Sequence, residues 1–181
     1  MSETNKIREH VRHLIEYYTE KNAEDLKILD VGCGDDKLFK FCYGVDRVER
    51  EGVIIDDAIQ LNTIVDGSLD ILYASHVLED MRYPIDVLNK WISKLKVNGL
   101  LILYMPHGDW YPKAGSKLAN KAHKQDWWPM TLIKMMETVN LGDYDMTLVF
   151  QEDGRPPGYS YDYDRRGVIE YSFLQIWRRN A

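Results

Sequence analysis

The stretch ILDVGCGDD, residues 28–36, decides how the rest of the chain is read. Its first residues continue the apolar run LKILDV (26–31), a short buried strand ended by glycine. Two glycines one residue apart then let the backbone turn tightly and approach a ligand closely. The flanking sequence supports a parallel α/β sheet. YGVDRV (43–48), EGVIID (51–56), SLDILYA (68–74) and VNGLLILYMP (97–106, a turn feeding a strand) read as further strands. They are near-continuous apolar runs, the pattern of strands covered on both faces. Residues 5–22 read as a helix whose apolar face is Ile7, Val11, Leu14, Ile15 and Tyr18. DDKLFKFC suggests a short helix. His76–Leu95 reads as helical, with a break at Pro84. Residues 107–128 read as irregular or partly helical, and WPMTLIKMMETVN as a helix with Pro129 early in it. DYDMTLVFQ and IEYSFLQIWRR are the last two strands, separated by the polar segment EDGRPPGYSYDYDRRG.

Composition bounds the class. The chain has 181 residues, 45% hydrophobic and 29% charged, which suits one domain with a sizeable core. Its net charge of −6 argues against duplex nucleic acid, whose recognition needs clustered Lys and Arg. Cys33 and Cys42 form no disulfide framework and no paired metal motif, so a reducing, cytoplasmic setting is expected. The start, MSETNKIREH, lacks a signal-peptide core, and no apolar run approaches the roughly 18 residues of a membrane span.

In an open parallel sheet, ligands bind beyond the carboxyl ends of the strands, where strand order reverses. Residues 30–34 would sit there. A dinucleotide turn wants a third glycine, but that position is Lys37, and Asp46 comes sooner than the acid such a site uses. The phosphate loop GxxxxGK[ST] is absent as well. A carboxylate before the glycines, Asp30, suits an ammonium group. Asp46, after the second strand, can accept both hydroxyls of a ribose. Asp57, after the third, can accept from an exocyclic amine, and Ala58 offers its N–H to the ring. An ammonium, a ribose and an adenine without phosphate describe S-adenosylmethionine.

ILDVGCGDD, YGVD, IIDDAIQL, DGSLDILYASHVLED and WISKLKVNGLLILYMPH, in this order, resemble the motifs of class I S-adenosylmethionine-dependent methyltransferases. The nearest likeness is to small methyltransferase-domain (type 11-like) proteins with an SxHVLEH signature and an LKPGG turn. It spans roughly residues 26–107 and continues more loosely to Pro129 through AHKQDWWP. The resemblance implies a Rossmann-like, mostly parallel seven-stranded sheet with a C-terminal antiparallel hairpin and helices on both faces. It implies that Asp30, Gly32, Cys33 and Gly34 bind the methionine end of the cofactor. Asp46 would take the ribose, with Arg47 beside it. Asp57 and Ala58 would frame adenine, with Asp56 as the alternative after a one-residue slip. Ser75 and His76 would line the other side. Asp80 stands where the signature's last His is usual, and Asn98 where the turn has Gly; Asn tolerates left-handed geometry. The link between the second and third strands is compressed, which would leave the adenine wall more open.

A single domain, 1–181, is expected, with an N-terminal helix (1–24), a cofactor core (26–107) and candidate substrate loops at 107–128 and 151–168. Methyl transfer needs a base only if the acceptor must lose a proton. His107 and His123 are the candidate catalytic residues, and His76 a further one whose alternative is helix-start packing. Trp110 and Trp127 are candidate acceptor walls, with Tyr111 and Trp128 nearby; at least one of Trp127 and Trp128 should pack inward. Lys113, Lys117, Lys121 and Lys124 could steer an anion or form a solvated face. The spacing of His107, Asp109, His123 and Asp126 is not diagnostic of a metal site, and no metal is expected. YSYDYDRRG could be a lid or an exposed loop. The reaction expected is methyl transfer to a small-molecule or glycan-type acceptor. The alternative is a cofactor-binding module or partner subunit without its own catalysis. Neither nucleic acid nor a membrane is an expected partner.

Overall fold

The computed structural model describes residues 3–140, 142, 144–153 and 171–181. The tyrosine-rich segment lies outside these residues, so the 151–168 loop is described only to Asp153. The strands are β1 (Ile28–Val31), β2 (Tyr43–Asp46), β3 (Val53–Ile55), β4 (Leu69–Ser75), β5 (Leu95–Pro106), β6 (Met146–Asp153) and β7 (Ser172–Arg179). They form a seven-stranded sheet in the order β3-β2-β1-β4-β5-β7-β6. The pairs β1–β2, β2–β3, β1–β4 and β4–β5 are parallel, and β7 runs antiparallel to β5 and β6. The expected mixed sheet and closing hairpin are therefore present. Strand order reverses between β1 and β4, which makes their carboxyl ends the switch point.

Helix α1 (Glu3–Thr19) covers one face of the sheet. Its Val11 and Ile15 are buried against Ile28, Ile71, Tyr73 and Ile102, with Ile7, Leu14 and Tyr18 packed around them. Helices α2 (Pro84–Lys94) and α3 (Pro129–Asn140) cover the other face. Val87, Leu88, Trp91, Leu132, Met136 and Val139 pack there with Leu29, Val31, Leu72 and Leu103. Along β1, Ile28 faces α1 while Leu29 and Val31 face α2 and α3, the alternation a strand requires.

Two expected helical stretches are corrected. DDKLFKFC forms turns, not a helix. The link from Gly32 to Cys42 must return the chain to start a neighbouring parallel strand, and such crossovers usually take a dozen residues or more. Little span is left for a helix, and Leu38 and Phe39 instead anchor the link in the α1-side core. His76 does not begin a helix either. It follows β4 with φ +53, a left-handed conformation uncommon for a non-glycine residue, and only a 3₁₀ turn (Leu78–Asp80) separates it from α2. Pro84 opens α2, where its missing N–H costs nothing. Asn98 has φ +65, the left-handed role its position suggested. The links 47–52 and 56–68 also lack α-helices, so the sheet half carrying β2 and β3 is compact.

Candidate active site

A cleft of about 440 Å³ opens at the switch point. Gly32, Asp46, Arg47, Asp57, Ala58 and His76 line it, six of the ten residues expected at the cofactor. Each sits just beyond a strand end: Gly32 after β1, Asp46 and Arg47 at β2, Asp57 and Ala58 after β3, His76 after β4. Val77, Asp80, Met81, Arg82 and Lys124 complete the wall. No motif had marked Met81 or Arg82, because their part depends on how the 3₁₀ turn folds over the cleft.

Gly32 has φ +69 and donates its N–H to the Val45 carbonyl at 2.8 Å. A Cβ there would lie 2.5 Å from Cγ2 of Val77, so backbone and side chain meet across the cleft floor. Gly32→Ala should therefore destabilise the fold by about 2 kcal/mol or more, combining the left-handed penalty with overlap. In a Val77→Ala background only the conformational part, about 1 kcal/mol, should remain. Equal costs in both backgrounds, measured by urea unfolding, would show that Val77 is not the obstacle.

Asp46 holds the loop around it. Its Oδ2 accepts from the Gly34 N–H and its Oδ1 from the Val48 N–H, both at 3.0 Å, with Arg50 at 3.1 Å. Burial pulls its pKa up, but these donors outweigh burial and hold it below the usual carboxylate value. An ionised acid thus stands at the end of β2, on the cleft wall. Asp56 and Asp57 differ in their hydrogen bonding. Asp56 accepts from the Asp57 N–H and from both N–H and hydroxyl of Thr63 at 2.7–2.8 Å, a loop-closing role. Asp57 faces the cleft, and its Oδ1 accepts from the Ile59 N–H at 2.6 Å. The Ala58 carbonyl accepts from Trp91 Nε1 at 2.6 Å, which fixes this wall to the core.

Asp30 departs from its expected role. Its side chain shares the α1 face with Ile28 and is 1% exposed, and its Oδ2 accepts from the Leu38 N–H at 2.6 Å. Burial, tempered by that hydrogen bond, raises its pKa to about 7. The carboxyl braces the glycine turn from beneath and does not line the cleft. Cys33 is buried too, its thiol pushed up to about 11 by burial and by Asp30 and Asp46, so it is an inert packing group. Gly34 faces a different hollow of about 640 Å³ beside α1. The charges there are already matched, with Arg8–Asp36, Arg12–Glu24 and Arg50–Asp35 each at 2.5 Å.

The histidines separate. His76 lines the cleft, its Nε2 lies 2.8 Å from the Ser172 hydroxyl, and burial with the charges of Lys6 and His123 lowers its pKa to about 3. It is neutral at physiological pH. His107 is 5% exposed, stacked on Trp110 at 3.7 Å, and its Nδ1 accepts from the Asp109 N–H. Its ring is committed to packing and does not line the cleft, which is against its reading as a catalytic base. Trp127 is 1% exposed within the α2–α3 core, and Trp110 is buried against His107; neither lines the cleft. Trp127 is the inward-packing member of the expected pair. Trp128 donates Nε1 to Asp109 at 2.8 Å.

His123 lies beside the cleft without lining it. It stacks on Tyr111 at 5.3 Å, its Nε2 lies 3.2 Å from Asp126, and its segment borders the cleft through Ala122 and Lys124. Tyr111 also meets His76 and Tyr171, and His76 meets Tyr104, with ring centroids 5.3–5.9 Å apart. This aromatic group, not the tryptophans, adjoins the cleft beyond β4 and β5. Of the four lysines, Lys124 alone lines the cleft, while Lys113 caps the Gly108 carbonyl and lies over Trp128.

The fold and family agree with this geometry. A Burkholderia thailandensis 1,6-didemethyltoxoflavin-N1-methyltransferase, solved with that substrate and S-adenosylhomocysteine, superposes with a TM-score of 0.69 at 13% identity. The match covers 96% of this chain and 78% of that one. An Archaeoglobus fulgidus SAM-dependent methyltransferase superposes with a TM-score of 0.59 at 18% identity, covering 98% and 95%. The [4+2]-cyclase SpnF shares the fold with a TM-score of 0.57 at 14% identity, covering 93% and 80%. No curated protein matches the sequence. The methyltransferase-domain family matches it from residue 4 to residue 143. Most of the chain falls within that match, so the protein belongs to this methyltransferase-domain family, and it has the fold of solved S-adenosylmethionine-dependent methyltransferases.

Proposed function

We propose that the protein transfers the methyl group of S-adenosylmethionine to a small-molecule or glycan-type acceptor that enters beside His76, Tyr111 and His123. The observation that carries this reading is the joining of Gly32, Asp46, Asp57 and Ala58 in one cleft of about 440 Å³ at the switch point. The donor set fits the cofactor: a bare backbone turn, an ionised acid for a diol, and an acid beside a backbone N–H for adenine. When bound, S-adenosylmethionine supplies an already activated methyl on a cationic sulfonium. What remains for the chain is to position the acceptor and exclude water. The Gly32 turn, braced by Asp30 through Leu38, would seat the methionine end. His76, neutral and held by Ser172, offers a rigid polar wall without adding positive charge beside a sulfonium. Calorimetry at pH 7.5 should detect binding of both S-adenosylmethionine and S-adenosylhomocysteine; no binding of either would end this reading.

A second reading, a cofactor-binding module that transfers no methyl group, draws on one observation: the neighbour of the same fold named a [4+2]-cyclase, which separates fold from methyl transfer. Methyl-labelled cofactor incubated with panels of hydroxylated, amino and glycan acceptors distinguishes the two. Label appearing in any acceptor disposes of the module.

A further inference from the structure

We propose that Glu79, Asp80 and His123 form a binding site for a divalent transition-metal ion, such as Mn²⁺ or Zn²⁺, on the acceptor side of the cleft. One donor atom from each lies within 4.8 Å of the others. An ion about 2.1 Å from each donor would draw them slightly closer. The set, one imidazole and two carboxylates, is borderline in character and suits these ions better than Mg²⁺.

Two independent features separate this group from an ordinary acidic cluster. Glu79 is 3% exposed, yet its Oε2 has no hydrogen-bond partner, and the buried Oδ1 of Asp80 has none either. Unpartnered carboxylate oxygens are costly in such a position, and a cation is one way to satisfy both. The juxtaposition is also built by main-chain bonds. The Glu79 carbonyl accepts from the N–H groups of Lys124 at 2.9 Å and Gln125 at 3.2 Å, and Gln125 Nε2 donates to the Met81 carbonyl at 2.6 Å. These bonds clamp the segment bearing His123 onto the 3₁₀ turn bearing the acids. Asp126, 3.2 Å from His123 Nε2, is placed to orient the imidazole as the partner of a metal-bound histidine does.

Asp80 lines the cleft, so the site borders the space where an acceptor would sit. Three protein ligands leave at least one coordination position for water or for an acceptor oxygen. The departure from the family signature thereby gains a purpose: Asp80 supplies a harder, anionic ligand where His is usual. His123 acts here as a ligand and not as a base.

The test uses the full chain, freed of tags and dialysed against EDTA, titrated with MnCl₂ and with ZnCl₂ by calorimetry. Loss of the free Mn²⁺ electron paramagnetic signal serves as a second readout. One-to-one binding is expected, weakened at least about tenfold in each of Glu79→Gln, Asp80→Asn and His123→Gln. Asp80→Asn preserves shape at a half-buried position, so one variant keeps the native fold even if the Glu79 change disturbs it. Absence of binding by either ion, or unchanged affinity in the folded variants, overturns the site. S-adenosylmethionine binding is measured separately in EDTA, so loss of the metal site leaves the methyl-transfer reading to its own test.

Discussion

Asp46→Ala should weaken binding of S-adenosylhomocysteine about a hundredfold while leaving the protein folded. A carboxylate accepting two ribose hydroxyls makes two charge-assisted hydrogen bonds, each worth about 1.5–3 kcal/mol. The full sum is not expected as a loss. In the ligand-free protein Asp46 already accepts from Gly34 and Val48 and pairs with Arg50, and some of those bonds are exchanged when ligand enters. A net of about 2.7 kcal/mol corresponds to the hundredfold change. Asp46→Asn keeps an acceptor of the same shape without the charge, and should lose only about tenfold. The loop depends on the same carboxylate, so melting temperatures of the ligand-free variants must be compared. A small drop accompanied by a large affinity loss identifies a ligand contact. Unchanged affinity in a folded Asp46→Ala protein would remove Asp46 from the ribose role and place the adenosyl group elsewhere.

The sheet was legible because its strands are apolar runs, the first three ending in glycine or acid, and periodicity alone separates them from the amphipathic α1. Strand ends also announced which acids would meet at the switch point, and Asp46 and Asp57 do meet there. What could not be read was the side to which a residue points within a continuous apolar run. In ILDV both faces of the strand are covered, so nothing in the sequence shows that Asp30 faces α1 with Ile28 while Leu29 and Val31 face α2 and α3. His107 and Trp127 failed for a related reason. Both are polar or amphipathic groups in an irregular segment, where burial is decided by tertiary contacts such as the Gly108–Trp127 hydrogen bond at 2.6 Å. The grouping of His123 with Glu79 and Asp80 was equally hidden. Its members lie on two distant segments, joined by backbone bonds between Glu79 and residues 124 and 125 and by Gln125 donating to the Met81 carbonyl. DDKLFKFC reads as helical by local preference, and the tight parallel crossover overrides it.

Asp30 carries the other large prediction, because its position is costly when ionised. A carboxyl titrating near 7 in the fold and near 4 in the unfolded chain binds more protons when folded between those values. Folding stability from this group is therefore fully present below about pH 4. It falls as pH rises towards 7, by an amount on the order of 4 kcal/mol, an upper figure because the loop can relax. Two other buried groups act in overlapping ranges. His76, lowered to about 3 by burial first, makes stability rise with pH between about 3 and 6.5. Glu79, raised by burial, adds to the fall. The parent's own profile is thus a sum, and the informative quantity is its difference from Asp30→Asn. The amide oxygen can still accept from the Leu38 N–H without a buried charge. The two proteins should be about equally stable near pH 4, and Asp30→Asn should gain steadily to become the more stable at pH 8. Parallel profiles in urea unfolding would mean that the carboxyl is hydrated and not beneath the loop. The same variant tests the corrected role. Since the carboxyl faces α1, Asp30→Asn should bind S-adenosylmethionine within a few-fold of the parent, whereas a hundredfold loss would return Asp30 to the ammonium contact that its place before the glycines first suggested.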